Sequence, residues 1–323
     1  MSIAVLGEAL IDFIVGDDGA YRPYLGGSPY NVAIGLARQG IEVSYLSSLS
    51  DDSFGEQLRC ALLDAGVHLP LARRSLWPTS LALVAVNAEG QASYRLYREG
   101  IADKDTSYEE IVAHVPAGTT VFHTGSLAIT PSQLPKIRKV FATLRERGVL
   151  VSIDINIRLR ASIDEQKYLD GVRSLLPLAD IVKASDEDIA AFGLDTDVRR
   201  SAERIYTEMS GGMLVLTEGS GGAMLYSGEG RISKRSYPVA SLVDTVGAGD
   251  TFHAAFLAYL SRNNCLSTVA RPSVANDEHK VASAYLVRAL DYACAAAAIN
   301  VSRTGCSPPT DTEVTDFIAA AAR

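Results

Sequence analysis

The sequence predicts an α/β protein: a three-layer α/β/α arrangement around a mostly parallel sheet, with a small β lid. Three observations carry this. From about residue 109 onward, strand-like and helix-like runs alternate, which implies a parallel sheet with helices on both faces. Two Gly-rich turns, Gly26-Gly27 and Gly247-Ala248-Gly249, lie near opposite ends of the chain and each opens a helix. Between them, 80–86 and 91–97 flank Asn87-Ala-Glu-Gly90 with no helix between, the mark of a hairpin outside the βαβ series.

The chain has 323 residues, of which 47% are hydrophobic and 21% charged, ample for a large core. The expected organisation is a single domain, 1–323, with the lid formed by about 11–25 and 79–103. A net charge of −8 argues against general nucleic-acid binding. Four cysteines lack metal or redox spacing and read as free thiols in a reducing cytosol. No apolar run reaches the ~20 residues of a membrane span, so a cytoplasmic protein is expected.

In chain order, Ile3-Ala-Val-Leu6 reads as a buried strand, followed by Glu8 and Asp12 at its carboxyl end, where ligands sit in open α/β sheets. Residues 21–25 suggest an edge strand broken by Pro23. Ser28 fits an N-cap and Pro29 the first helical position, with Asn31 in the first turn. The lid carries Tyr94, Arg95, Tyr97 and Arg98, and its apolar groups on both faces suggest a homodimer through the lid. Strand 149–153 delivers Asp154, Asn156 and Arg158. Strand 180–183 leads to Ser185-Asp-Glu-Asp188, a capping-box variant, and strand 213–217 turns at Glu218-Gly-Ser-Gly-Gly222. A strand-like approach over 237–243 precedes Asp244-Thr-Val-Gly-Ala-Gly-Asp-Thr251. Residues 261–280 read as an inserted polar loop.

A Gly-rich turn at a helix N-terminus suits a phosphate or a developing oxyanion. Asp250 beside it would repel an anion, so it reads either as a general base for an attacking hydroxyl or as a helix cap. The octapeptide alone leaves both open. The second turn, with Asp12 and Asn31, offers donors and acceptors for a polyol. A polyol, a phosphate and a base between them describe phosphoryl transfer to an alcohol.

The Gly26-Gly-x-x-x-Asn31 and Asp244-Thr-x-Gly-Ala-Gly-Asp250 signatures resemble those of the ribokinase-like (PfkB) carbohydrate kinases, across essentially the whole chain. Gly7-Glu-Ala-Leu-Ile-Asp12, the run 97–103 and Lys183-x-Ser185-Asp-Glu-Asp188 look most like the fructokinase branch. The resemblance implies ATP-dependent phosphorylation of a sugar primary hydroxyl, fructose first. It implies Asp250 as base and Gly247, Ala248 and Gly249 as the anion hole. Asp12, Gly26, Gly27, Asn31, Tyr97, Arg98 and Arg158 would meet the sugar. Lys183, Ser185, Thr217, Glu218, Gly219, Gly222 and Asn300 would line the nucleotide. Mg²⁺ would arrive with ATP, and K⁺ is a candidate at Asp244, Val246, Arg303 and Gly305. No Walker A motif is present. Kinases of the same family for 2-keto-3-deoxygluconate or a riboside are the alternatives, and a non-catalytic sugar-binding regulator is the alternative of another class.

Overall fold

Alternating side chains sort the strands into two-sided layers. In the strand β1 (Ser2–Val5), Ile3 and Val5 face one hydrophobic cluster while Ala4 faces the other. The computed structural model describes residues 1–16, 18–86, 92–266, 270 and 278–322. Among these, β1 joins β4 (Glu42–Tyr45), β7 (Thr119–Gly125), β8 (Leu150–Asp154), β9 (Ile181–Ser185) and β10 (Met213–Thr217) in parallel. The antiparallel strands β11 (Ala223–Ser227) and β12 (Gly230–Lys234) extend one edge, giving the order β12-β11-β10-β9-β8-β7-β1-β4. Both faces of the parallel strands are buried, which matches their continuous apolar runs.

One face is covered by α1 (Ser28–Arg38), α2 (Ser53–Asp64), α8 (Ala248–Arg262), α9 (Glu278–Val301) and α10 (Asp311–Ala321). The other is covered by α3 (Tyr108–His114), α4 (Leu134–Glu146), α5 (Glu165–Arg173), α6 (Asp186–Ala191) and α7 (Val198–Glu208). The strand order departs in both directions from β1, with β4 on one side and β7 on the other. Such a reversal opens a crevice at the carboxyl ends of the strands.

A second sheet has the order β3-β2-β5-β6, from β2 (Leu10–Val15), β3 (Tyr21–Gly26), β5 (Ser80–Val86) and β6 (Ala92–Tyr97). The two sequence segments expected to share a β insertion are joined by the parallel pairing of β2 with β5. Strand β3 runs through Pro23 unbroken, paired opposite Phe13. An edge strand leaves alternate N–H groups facing outward, so a proline there removes no ladder bond. The hairpin tip, 87–91, lies outside the described residues.

Two other expectations change. Residues 237–243 form no strand: the segment is irregular, and Val243 and Asp244 donate their N–H groups to the Val301 carbonyl at 2.9 and 3.3 Å. Tyr237 packs against Phe317 and the core, while Leu242 and Val243 face outward, 67% and 52% exposed. The polar stretch 261–280 is shorter as a connection than its composition suggests, because α8 continues to Arg262 and α9 starts at Glu278. Much of the remainder lies outside the described residues.

Candidate active site

Gly247 ends the irregular approach in the left-handed region (φ 71°), which a β-carbon disfavours, and turns the chain into α8. A β-carbon there would also stand 2.2 Å from Cys306 Sγ. The Ala248 amide donates to Thr245 O at 3.2 Å and that of Thr251 to Gly247 O at 2.8 Å. Between them, the Gly249 and Asp250 amides meet no acceptor among the described residues. Two free N–H groups at the positive end of a 15-residue helix have the chemistry to receive an anion.

Asp250 sits in that first turn and is 7% exposed. Its carboxylate does not cap its own helix. It receives the Ser28 hydroxyl on Oδ1 at 2.7 Å and the Asn31 carboxamide on Oδ2 at 2.8 Å, both from the first turn of α1. The two Gly-rich turns therefore converge on one carboxylate, with both helices packed side by side. Gly27 (φ 116°), not Ser28, occupies the N-cap position. Ser28 is the first helical residue, which frees its hydroxyl for Asp250.

Asp12 on β2 lies against the other side of this turn. A β-carbon on Gly26 would come within 2.3 Å of Asp12 Oδ2, so glycine lets the carboxylate approach the backbone. Burial pushes the Asp12 pKa up to about 6, with nearby Arg158 opposing and the Asp250 charge adding to the rise. Arg158 itself is exposed.

The expectation that Arg98 reaches a sugar is not met in this arrangement. It is 9% exposed and its guanidinium is spent on Asp103 at 2.8 and 3.0 Å and on Ser80 Oγ at 2.8 Å. Tyr97, its neighbour at the end of β6, is 55% exposed and open to a ligand.

Among the residues expected to line a nucleotide, Lys183 is buried and bridges both oxygens of Asp154 at 2.9 and 3.1 Å. Burial works against its charge, but the carboxylates of Asp154, Asp188 and Asp250 outweigh it and hold the Lys183 pKa above its ordinary value. Its Nζ lies 2.8 Å from where a Gly249 β-carbon would stand, so the ammonium touches the anion turn. The capping box forms as expected: Ser185 Oγ accepts from the Asp188 amide, and Asp188 Oδ2 accepts from the Ser185 amide. Asp188 Oδ1 also takes the Ile157 amide at 2.6 Å, tying α6 to the end of β8. Thr217 and Gly219 lie at the carboxyl end of β10. Glu218 pairs with Arg199 at 2.8 Å. Gly222 is required by backbone contact, since a β-carbon would stand 2.1 Å from Lys234 O.

Asn300 departs from its expected place beside a nucleotide. It is fully buried, accepts from Thr251 Oγ1 (3.1 Å) and the Ser307 amide (2.8 Å), and donates to Val246 O (2.9 Å). It is a brace beneath the anion turn. Asp244 accepts from the amides of Val246 (3.0 Å) and Gly305 (2.8 Å), and Arg303 pairs with Glu313. These bonds give the loop expected to hold a monovalent cation its shape. A second brace joins α8 to the sheet: His253 Nε2 meets Ser152 Oγ at 2.8 Å, which meets His123 Nδ1 at 3.1 Å. Burial holds the pKa values of both imidazoles far down, so they stay neutral.

Sequence reasoning left the roles of several contributors unread. Ser28 was legible only as a cap. Glu8, 2% exposed, accepts the Ser28 amide at 3.1 Å, a tertiary contact with no sequence signal. Leu242, Val243 and Val246 are exposed just before the anion turn, an apolar surface suited to a flat base. Among the described residues, no helix is long and apolar enough to cross a membrane.

The family model described as pfkB family carbohydrate kinase matches residues 1–313. The chain is 31% identical over 269 residues to a fructokinase of Rhizobium leguminosarum bv. trifolii, covering 82% of this chain and 81% of that protein. The fructokinase of Xylella fastidiosa, solved with bound ATP, superposes with a TM-score of 0.86 at 25% identity, covering 100% of this chain and 99% of the other. A Vibrio cholerae fructokinase, solved with fructose, ADP and calcium ion, shares the fold with a TM-score of 0.80 at 24% identity, covering 98% and 99%.

Proposed function

The chain belongs to the pfkB family of carbohydrate kinases, and on that premise we propose that this sugar kinase phosphorylates fructose at the expense of ATP. The observation that carries the chemistry is the placement of Asp250. It is a buried carboxylate in the first turn of α8, next to two unpaired amides and oriented through both oxygens by α1.

In this reading Asp250 accepts the proton of the sugar's primary hydroxyl as that oxygen attacks the γ-phosphorus. A new O–P bond forms, the bond to the bridging oxygen breaks, and ADP leaves with the electron pair. The Gly249 and Asp250 amides, with Gly247 and Ala248 shaping the turn, receive the negative charge of the group in transit. Lys183 supplies positive charge beside Gly249. Asp12, Gly26, Gly27 and Asn31 hold sugar hydroxyls from the opposite side, with Tyr97 and Arg158 at the rim. Ser185, Thr217, Glu218, Gly219 and Gly222 form the edge along which the nucleotide lies, and Leu242 and Val243 offer its base an apolar face.

The residues fit a polyphosphate, since free amides and an ammonium converge there. No group of three or more metal-ligating side chains occurs among the described residues, so magnesium would be held chiefly by the phosphates. Potassium at the Asp244 loop is a secondary proposal, tested by comparing turnover in potassium and sodium salts. The four-stranded sheet serves as a lid on the one kinase unit. The outward Tyr21, Tyr24 and Leu25 of edge strand β3 support lid-to-lid dimerisation, which Tyr24→Glu would abolish in a sedimentation experiment. Four unpaired thiols support a reducing cytosol as the place of work.

An ADP-release assay over ketoses, aldoses, keto-deoxy acids and ribosides tests the substrate. If fructose turns over no faster than background, fructose is the wrong sugar. Asp250→Asn should lower kcat by about 10²–10⁴ while sugar still binds, as expected for a general base. Undiminished turnover would show that Asp250 is not the base.

A further inference from the structure

Glu8 is buried three residues beyond the end of β1, and neither the sugar contacts nor the phosphoryl contacts proposed above include it. Its Oε1 takes the Ser28 amide at 3.1 Å, while Oε2 has no partner within hydrogen-bond distance among the described residues, the Ser126 hydroxyl lying near enough only to favour the ionised form. Burying a carboxylate to satisfy a single backbone N–H is unfavourable unless the N–H must be held. The surrounding contacts indicate why it must. A β-carbon on Gly27 would stand 2.4 Å from Glu8 O, and one on Gly7 would stand 2.2 Å from Pro29 Cγ. The end of β1 and the turn that opens α1 therefore interlock at three consecutive residues. Ser28, the residue so fixed, donates its hydroxyl to Asp250 at 2.7 Å.

The chain of contacts runs further. Arg98 is the opposing charge that acts most strongly on Glu8, and Arg98 is itself held by Asp103 and by Ser80, the first residue of β5. Glu8, Arg98, Asp103, Lys104 and Lys136 share a small cavity with room for about one water molecule beside them.

We propose that Glu8 is a positioning residue for phosphoryl transfer: by holding the Ser28 amide it sets where the Ser28 hydroxyl meets Asp250. The inference rests on the reading of Asp250 as base. Glu8 touches no reacting atom, and its effect passes through Ser28. A displacement of about 1 Å in the base's hydrogen-bond partner is of the size that lowers turnover by about 10².

A double-mutant cycle on the full-length enzyme, read as kcat and KM for fructose and for ATP, tests this. Glu8→Ala should lower kcat about tenfold or more with KM for ATP unchanged, and Glu8→Gln, which keeps an acceptor for the amide, should restore most of it. Glu8→Ala in a Ser28→Ala background should add little, because both changes break the same link. If Glu8→Ala does not fold, Glu8→Asp replaces it: the shortened carboxylate recedes from the amide and should behave like the alanine while Gln does not. Additive effects in the cycle, or a Gln variant as impaired as Ala or Asp, would overturn the inference. Turnover surviving in Asp250→Asn would instead remove the base reading. A dead Asp250→Asn with an additive cycle would remove only the role of Glu8.

Discussion

Replacing Gly247 by alanine tests whether the anion turn has any slack. The added carbon would meet Cys306 Sγ at 2.2 Å, Cβ at 2.5 Å and Cα at 3.1 Å. Ordinary contacts between such atoms lie near 3.5–4.0 Å, so the turn or the 305–307 loop must move by about 1 Å. The loop resists: Asp244 holds the Gly305 amide and Asn300 holds that of Ser307. The left-handed φ of 71° adds roughly 1–2 kcal/mol for any residue with a β-carbon. If the turn yields, its free amides leave the path of the phosphoryl group, and a 1 Å error of this kind costs about 10² in rate. Steady-state kinetics with a thermal melt as control should show kcat reduced about 100-fold in a folded enzyme. Rescue variants sharpen the argument. Cys306→Ala leaves the β-carbon at 2.5 Å and should not rescue, whereas Cys306→Gly leaves only the 3.1 Å contact and should recover part of the activity. A folded Gly247→Ala enzyme within tenfold of wild type, or equal rescue by both variants, would refute this reasoning.

Two further outcomes follow from the buried charges. Burial pushes the Glu8 pKa up to about 7 from an ordinary 4.5, with Arg98 opposing; the native state therefore holds a proton that the unfolded chain has released between those values. Its contribution is fully present below about pH 4.5 and is lost as pH rises through 7, a swing of about 3 kcal/mol. Glu8→Gln, which cannot ionise, should melt higher than wild type at pH 8 and close to it at pH 5; equal gaps at both would contradict this. Lys183→Met leaves Asp154 buried without its partner and should destabilise by about 3–5 kcal/mol. Burial already pushes Asp154 up to about 7 against the pull of Lys183, so the loss should be smaller at pH 6, where Asp154 can take a proton, than at pH 8. Denaturation at the two values checks it.

The parts of the site that are contiguous in the chain were readable as residues. Asp244–Thr251 carries its own turn, helix start and acid, and Gly26–Asn31 carries its own turn, helix start and carboxamide. The parallel strands announced themselves through runs such as Met213-Leu-Val-Leu. What was not readable depends on partners far away. Ser28 looks like a cap until Asp250 is placed beside it, and Arg98 looks like a sugar ligand until Asp103 closes on it. Asn300 is polar near the end of an Ala-rich helix, which suggests a ligand; only the fold shows its partners, Val246 and Ser307 in loops and Thr251 in the first turn of α8. Residues 237–243 have strand composition because exposed apolar groups and buried ones look alike in one dimension.

The link between Asp250 and α1 spans 222 residues to Ser28 and 219 to Asn31. Contacts of such separation form late, since a long loop must close before they stabilise anything. On a ribosome, the turn bearing Ser28 and Asn31 emerges long before the acid it serves. A nascent chain, or one cut between the halves, can therefore display the sugar-facing turn yet hold no oriented base. ATP is spent only by molecules whose two halves have met, so turnover doubles as a report that folding is complete.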